Sequence, residues 1–201
     1  MNLTFKKYRS IDISLFTVIY AVIEALIVYG SSKWFSHQFY TLSLSVTIVT
    51  LVMVRWGIFS MIPCLVGSVV YLLVHSAAGN AVTYQTAIIY IGSSLSMLVG
   101  LLYIKLVTKQ KLSDRKSVAC YGLPIVLYIT SILARTLISM CFGYGFAIIV
   151  NYNFADCLTL LFALVAVYVA RRQEGLFIDQ KTYLLELDKK RKKEQDLYNN
   201  Q

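Results

Sequence analysis

Six predominantly apolar runs follow one another along the chain, at roughly 11–31, 39–54, 57–75, 81–104, 118–142 and 150–170. Polar or small residues interrupt them at 31–38, 55–57, 76–80, 105–117 and 143–149. A membrane-crossing helix needs about 20 predominantly apolar residues, so the pattern predicts six transmembrane helices. The second run is short and tightly joined to the third, and those two can also form one bent hairpin. Lys6, Lys7 and Arg9 precede the first run, as in a signal peptide. That run is long, contains Glu24 and lacks a small-x-small cleavage site, so a retained first helix is expected. From residue 171 the pattern changes. Leu176, Phe177, Tyr183, Leu184 and Leu187 recur near helical spacing beside charges, which predicts a surface-lying amphipathic helix. The basic run 189–193 closes it, and a frayed charged tail is the other reading beyond residue 190.

Composition narrows the class. Of 201 residues, 58% are hydrophobic and 14% charged, with a mean hydropathy of +0.65. Soluble domains average about 45–50% apolar and about 25% charged residues. The expected fold is therefore all-α and integral to a membrane. A six-helix bundle fills 1–170, a cytoplasmic tail fills 171–201, and no room is left for a soluble domain. The net charge of +9 at first suggests nucleic acid. With the N-terminus cytoplasmic, 17 of the 19 basic residues fall on the inner side, Lys33 falls outside and Arg135 lies within the membrane. This asymmetry predicts that both ends are cytoplasmic. It also assigns the charge to anionic lipid of a bacterial cytoplasmic membrane, and not to nucleic acid.

An arginine at bilayer depth costs about 2.5–3.5 kcal/mol on insertion scales, so it faces a protein interior or a cavity and has a partner. Glu24 and Asp156 lie in other apolar runs. Counting residues from the helix ends puts Glu24, Arg135 and Asp156 at about the same depth, roughly 10 Å below the outer surface. Two readings stand. Arg135 and Asp156 form an ion pair that only joins helices five and six, or the three charges belong to a polar pocket opening outward. Fully ionised, the group has one negative charge in excess, which suits a cationic, donor-rich or zwitterionic ligand; Glu24 can equally be protonated.

Polar and aromatic residues gather at the same side. Asn80, Tyr84, Gln85 and Tyr90 stand near the start of helix four, and Asn151 and Tyr152 begin helix six. They can form an interfacial aromatic belt. They can also line a site for a flat ligand stacked on tyrosine and bonded by amides. Ala21 and Ala25 give helix one a small-xxx-small face, and Gly92, Ser96 and Gly100 give helix four the same spacing. Cys64, Cys120, Cys141 and Cys157 form no CxxC pair and read as small buried residues, so neither disulfide nor metal is expected. Phosphate-loop, HExxH and GxSxG motifs do not occur in the sequence, so no ATPase of its own and no cofactor are expected.

At this point the chain resembles the substrate-binding membrane subunits, or S components, of energy-coupling-factor vitamin transporters. Ala21-x-x-x-Ala25 looks like the alanine motif of that family. Arg55-Trp56-Gly57 with Pro63 and Gly67, Arg135, Asp156-Cys-Leu-Thr, and the stretch 170–185 are similar to one branch of it. The resemblance implies a subunit that binds a vitamin or vitamin precursor in its outer half. It further implies docking, through the alanine face, on a transmembrane coupling subunit driven by two ATPases. Glu24 beside that face departs from a purely apolar docking surface.

The expected function is nutrient capture, not catalysis. The binding layer expected is Glu24, Arg135 and Asp156, lined by Asn80, Tyr84, Asn151 and Tyr152, with Ala21 and Ala25 docking the partner. A membrane-embedded enzyme using Glu24 or Asp156 as acid or base is the alternative, and a regulatory partner acting through the basic tail is a third class.

Overall fold

Glycine and polar caps divide the apolar runs into helices. The computed structural model describes residues 5–34, 42–107, 118–146, 150, 157–173, 176–180, 182–185, 187 and 189. Among these, the main elements are α1 (Phe5–Trp34), α2 (Ser45–Trp56), α3 (Met61–Ala77), α4 (Tyr84–Ser96), α5 (Gly100–Val107), α6 (Ala119–Cys141) and α7 (Cys157–Arg172). Short 3₁₀ turns at Gly57–Ser60 and Met97–Val99 join α2 to α3 and α4 to α5. Four stretches are long and apolar enough to cross a membrane: Phe5–Lys33, Ser45–Ala77, Tyr84–Val107 and Ala119–Cys141. Many large apolar side chains on them point outward, among them Leu15, Val22, Leu26, Leu133 and Leu137. Outward-facing apolar stripes of this length suit lipid and not water. The chain is an α-helical membrane protein.

The stretch Ser45–Ala77 is not one straight rod. Glu24 of α1 bonds the start of α2, and Asp12 of α1 bonds its end, so α1 and α2 run antiparallel. Arg9 of α1 lies over Phe59, and Tyr20 of α1 presses on Gly67, so α1 and α3 run parallel. The chain therefore reverses between α2 and α3. Gly57 makes this possible with φ 63° and ψ −119°, a region closed to side chains with a Cβ. Pro63 follows in the first turn of α3, where a missing amide hydrogen costs nothing. The hairpin reading of the second and third runs is the one the structure takes.

Boundaries differ from the sequence pattern where polar groups support helix. The first helix starts at Phe5 and not near residue 11, because the basic residues continue it. The second starts at Ser45 and not near 39, and has 12 residues. At 1.5 Å per residue that is about 18 Å, short of the hydrocarbon thickness of about 30 Å. Such a helix survives by being wrapped: every residue from Val46 to Trp56 is buried. It packs against α1, α3, α5, α6 and α7. Its β-branched run Val46–Thr50 is no obstacle, since helix is the local way to satisfy backbone groups without water. The Thr50 hydroxyl donates back to the Val46 carbonyl at 2.6 Å.

The remaining pairs follow from small residues. Gly92, Ser96 and Gly100 face α6. Ile138 occupies the space beside Gly92, the Ser96 hydroxyl donates to the Thr130 carbonyl at 3.1 Å, and Leu127 fills the space beside Gly100. α4 and α5 together thus run antiparallel to α6. Ala163, Val167 and Ala170 form the buried stripe of α7. The chain beyond α7 folds back onto the bundle: Phe177 and Gln180 are buried, and Leu184 packs on the cluster around Trp56.

Candidate functional site

Alternation of helix direction gives the bundle two unlike polar ends. One end gathers the close of α1, α3 and α6 with the start of α2, α4 and α7. Here Glu24 is buried at 4% exposure. It belongs to the inward stripe Ile13, Thr17, Tyr20, Glu24 and Val28, and Ala21 and Ala25 flank that stripe half-buried. Its Oε1 accepts from the Ser43 hydroxyl at 2.7 Å, and its Oε2 accepts from the Leu44 amide at 2.9 Å. The Ser43 amide donates to the Thr159 hydroxyl at 3.0 Å, and the Ser43 hydroxyl accepts from the Ser45 amide at 3.1 Å. A carboxylate from α1 and hydroxyls from two other segments thus cap α2. Exposed amides and the positive end of the helix dipole favour an anion at this position.

On α3, α4 and α6 the same end holds aromatic and amide groups. Tyr71 and Tyr90 stack with centroids 4.0 Å apart, and their hydroxyls are 2.7 Å apart. His75 also stacks on Tyr71, with centroids 5.4 Å apart. The Arg135 guanidinium lies 5.4 Å from the Tyr90 ring centroid. The Tyr144 hydroxyl donates to Gln85 at 3.3 Å. Asn80 is exposed and its side-chain amide donates to the His75 carbonyl at 3.3 Å. Tyr84 is 71% exposed and meets Phe142 edge-on. Of the residues expected to form the site, Glu24 therefore joins the α2 cap, Arg135 joins the Tyr71–Tyr90 stack, and Asn80 and Tyr84 stand at the rim. Asn151, Tyr152 and Asp156 lie outside the described residues.

The opposite end holds the basic residues, and there the structure brings together a group that hydropathy did not single out. Arg55, read from sequence as part of a break between helices, is in the last turn of α2 and 5% exposed. Its Nε and Nη2 donate to the two carboxylate oxygens of Asp12 at 2.9 and 2.8 Å. Trp56 Nε1 donates to the same carboxylate at 2.5 Å. Arg55 Nη1 donates to the Leu176 carbonyl at 3.1 Å, and the guanidinium lies 5.4 Å from the Phe16 ring centroid. A cation in the last turn of α2 also suits the negative end of its dipole. The available signal was Arg55-Trp56 inside an otherwise apolar stretch, with Asp12 an acid near the start of the first helix.

Asp12 and Glu24 stand twelve residues apart on α1, and α2 itself has 12 residues. Both acids therefore fall level with the ends of α2, one pinning its start and the other its finish. Their chemistry is that of clamps: each carboxylate oxygen described accepts from a fixed donor.

Comparison with known protein families, curated proteins and solved structures finds no match for this chain.

Proposed function

We propose that the chain is the substrate-binding membrane subunit of an energy-coupling-factor type importer for a vitamin or vitamin precursor. In this reading it crosses a bacterial cytoplasmic membrane six times with both ends inside. It holds its ligand at the end where α1, α3 and α6 finish, and docks through α1 near Ala21 and Ala25 on a coupling subunit driven by separate ATPases. The observation that carries it is the aromatic and cationic group Tyr71, Tyr90 and Arg135, at the end of the bundle opposite the basic residues. Stacked rings beside a guanidinium suit a flat, polar nutrient. The exposed apolar face of α1, with Leu15, Val22 and Leu26, leaves room for a membrane partner. Glu24 supports binding over acid–base catalysis, because two donors already hold its oxygens.

The test has two stages. Mass spectrometry of the purified chain is expected to find one co-purifying small molecule, and co-expression is expected to recover a coupling subunit. Affinity for that molecule is then measured in Arg135→Ala and Asp156→Asn. Both substitutions are expected to abolish binding in a folded protein. Unchanged affinity in both removes the site. Turnover by the chain alone, without partners, decides for the membrane-embedded enzyme.

A further inference from the structure

At the basic end, a groove of about 320 Å³ opens between the first half of α1 and the turn into α3. Lys6 and Arg9 stand at its mouth, and the Arg9 guanidinium is held 4.0 Å from the Phe59 ring centroid. Ser10, Ser14 and Thr17 continue down the same wall. Their spacing of four and three residues puts the three hydroxyls on one helix face. Thr17 is 8% exposed, and its buried Oγ1 has no hydrogen-bond partner. Further along, Val18 and Ile62 offer exposed aliphatic surface. The wall thus grades from cation to hydroxyl to hydrocarbon.

Charge decides what fits. Asp12, the acid on this part of α1, is neutralised by Arg55 at 2.8 Å, so the two cations at the mouth face no carboxylate among the lining residues. Length decides further. Lys6 to Val18 is about 18 Å of helix, far longer than a phosphate ion, and an aliphatic wall gives a free ion nothing.

We propose that this groove binds a single anionic phospholipid. Its phosphate sits at Lys6 and Arg9, its glycerol-ester oxygens meet Ser10 and Ser14, and one acyl chain runs along Val18 and Ile62. The site is at the opposite end from the proposed nutrient site, and it stands whether or not the chain is a transporter subunit.

The full chain, purified in non-ionic detergent, is offered equal phosphatidylglycerol and phosphatidylcholine of matched acyl chains. Retention is read by native mass spectrometry. Phosphatidylglycerol is expected to be retained several-fold over phosphatidylcholine. The double variant Lys6→Gln, Arg9→Gln is expected to retain both equally. Ser10→Ala, Ser14→Ala, which removes the two exposed hydroxyls of the wall, is expected to weaken retention with an unchanged melting temperature, and it keeps the test decisive should the Lys6, Arg9 variant not fold. Equal retention of the two lipids by the unaltered chain overturns the proposal. So does full retention by Ser10→Ala, Ser14→Ala, or displacement of the lipid by inorganic phosphate alone.

Discussion

Arginine is how this chain places positive charge against apolar surroundings. Each of the five described arginines lies over an aromatic ring: Arg9 on Phe59, Arg55 on Phe16, Arg135 on Tyr90, Arg171 on Tyr121 and Arg172 on Tyr168. A ring face meets a weakly hydrated, planar guanidinium better than a compact ammonium. Arg55 adds the fork-to-fork geometry with Asp12 that lysine cannot copy. Removing one partner of such a buried pair costs about 3–5 kcal/mol, mostly because the other charge is left bare. Asp12→Asn and Arg55→Leu are each expected to lower the stability in detergent by that order, read in denaturation. The double variant Asp12→Leu, Arg55→Leu is expected to lose less than the two single losses added together. Strict additivity would show that the two side chains act independently. Arg135 was legible in the sequence as a charge in an apolar run. The role of Asp12 was not, because its partner lies 43 positions away and only the antiparallel register of α1 and α2 brings them level.

At the scale of the element, length and hydropathy located the helices, and turn chemistry decided how they connect. A 33-residue helical stretch from Ser45 to Ala77 satisfies every test for one long span. Gly57 overrules it by one backbone conformation. Gly57→Ala is expected to cost about 1–3 kcal/mol, the usual price of a side chain in that region. Gly67 acts through space and not through its dihedral angles. A Cβ there would fall 2.0 Å from the Tyr20 hydroxyl, and Tyr20 is 2% exposed with nowhere to retreat. Gly67→Ala is expected to push α1 from α3 at a cost of about 1–3 kcal/mol. Denaturation in detergent checks both, and a variant as stable as the parent contradicts the packing at that residue. The spacing Gly92, Ser96 and Gly100 was visible beforehand as a small-residue face; that α6 receives it depends on which helices become neighbours.

At the scale of the molecule, most of the described basic residues gather at one end, and the Tyr71–Tyr90 stack with Asn80 and Gln85 stands at the other, together with Arg135 and Lys33. With both ends cytoplasmic, as proposed, Cys141 belongs to the outer side and is exposed, whereas Cys64 and Cys120 are buried. A membrane-impermeant maleimide is therefore expected to label Cys141 in intact spheroplasts that carry the Cys157→Ala variant. Protection of that thiol until the membrane is opened would reverse the orientation. The sequence made the two-ended character readable because charge counts need no register. It could not reveal that Glu24 is spent on α2, since that requires knowing which helix lies beside it. Nor did it suggest that the segment after α7 returns to the bundle, because its apolar residues look like any amphipathic pattern until Arg55 bonds the Leu176 carbonyl and Leu184 meets the Trp56 cluster.

The capping of α2 by α1 bears on how the protein is made. Twelve residues are too few to settle across a bilayer alone, and α2 by itself would carry bare amides at one end and a bare guanidinium at the other. Both carboxylates that answer those groups, Glu24 and Asp12, precede α2 in the chain. When α2 leaves the ribosome, its anchors are already in place. α1 can thus act as a template for α2, whereas the Leu176 carbonyl on Arg55 follows only 121 positions further along the chain.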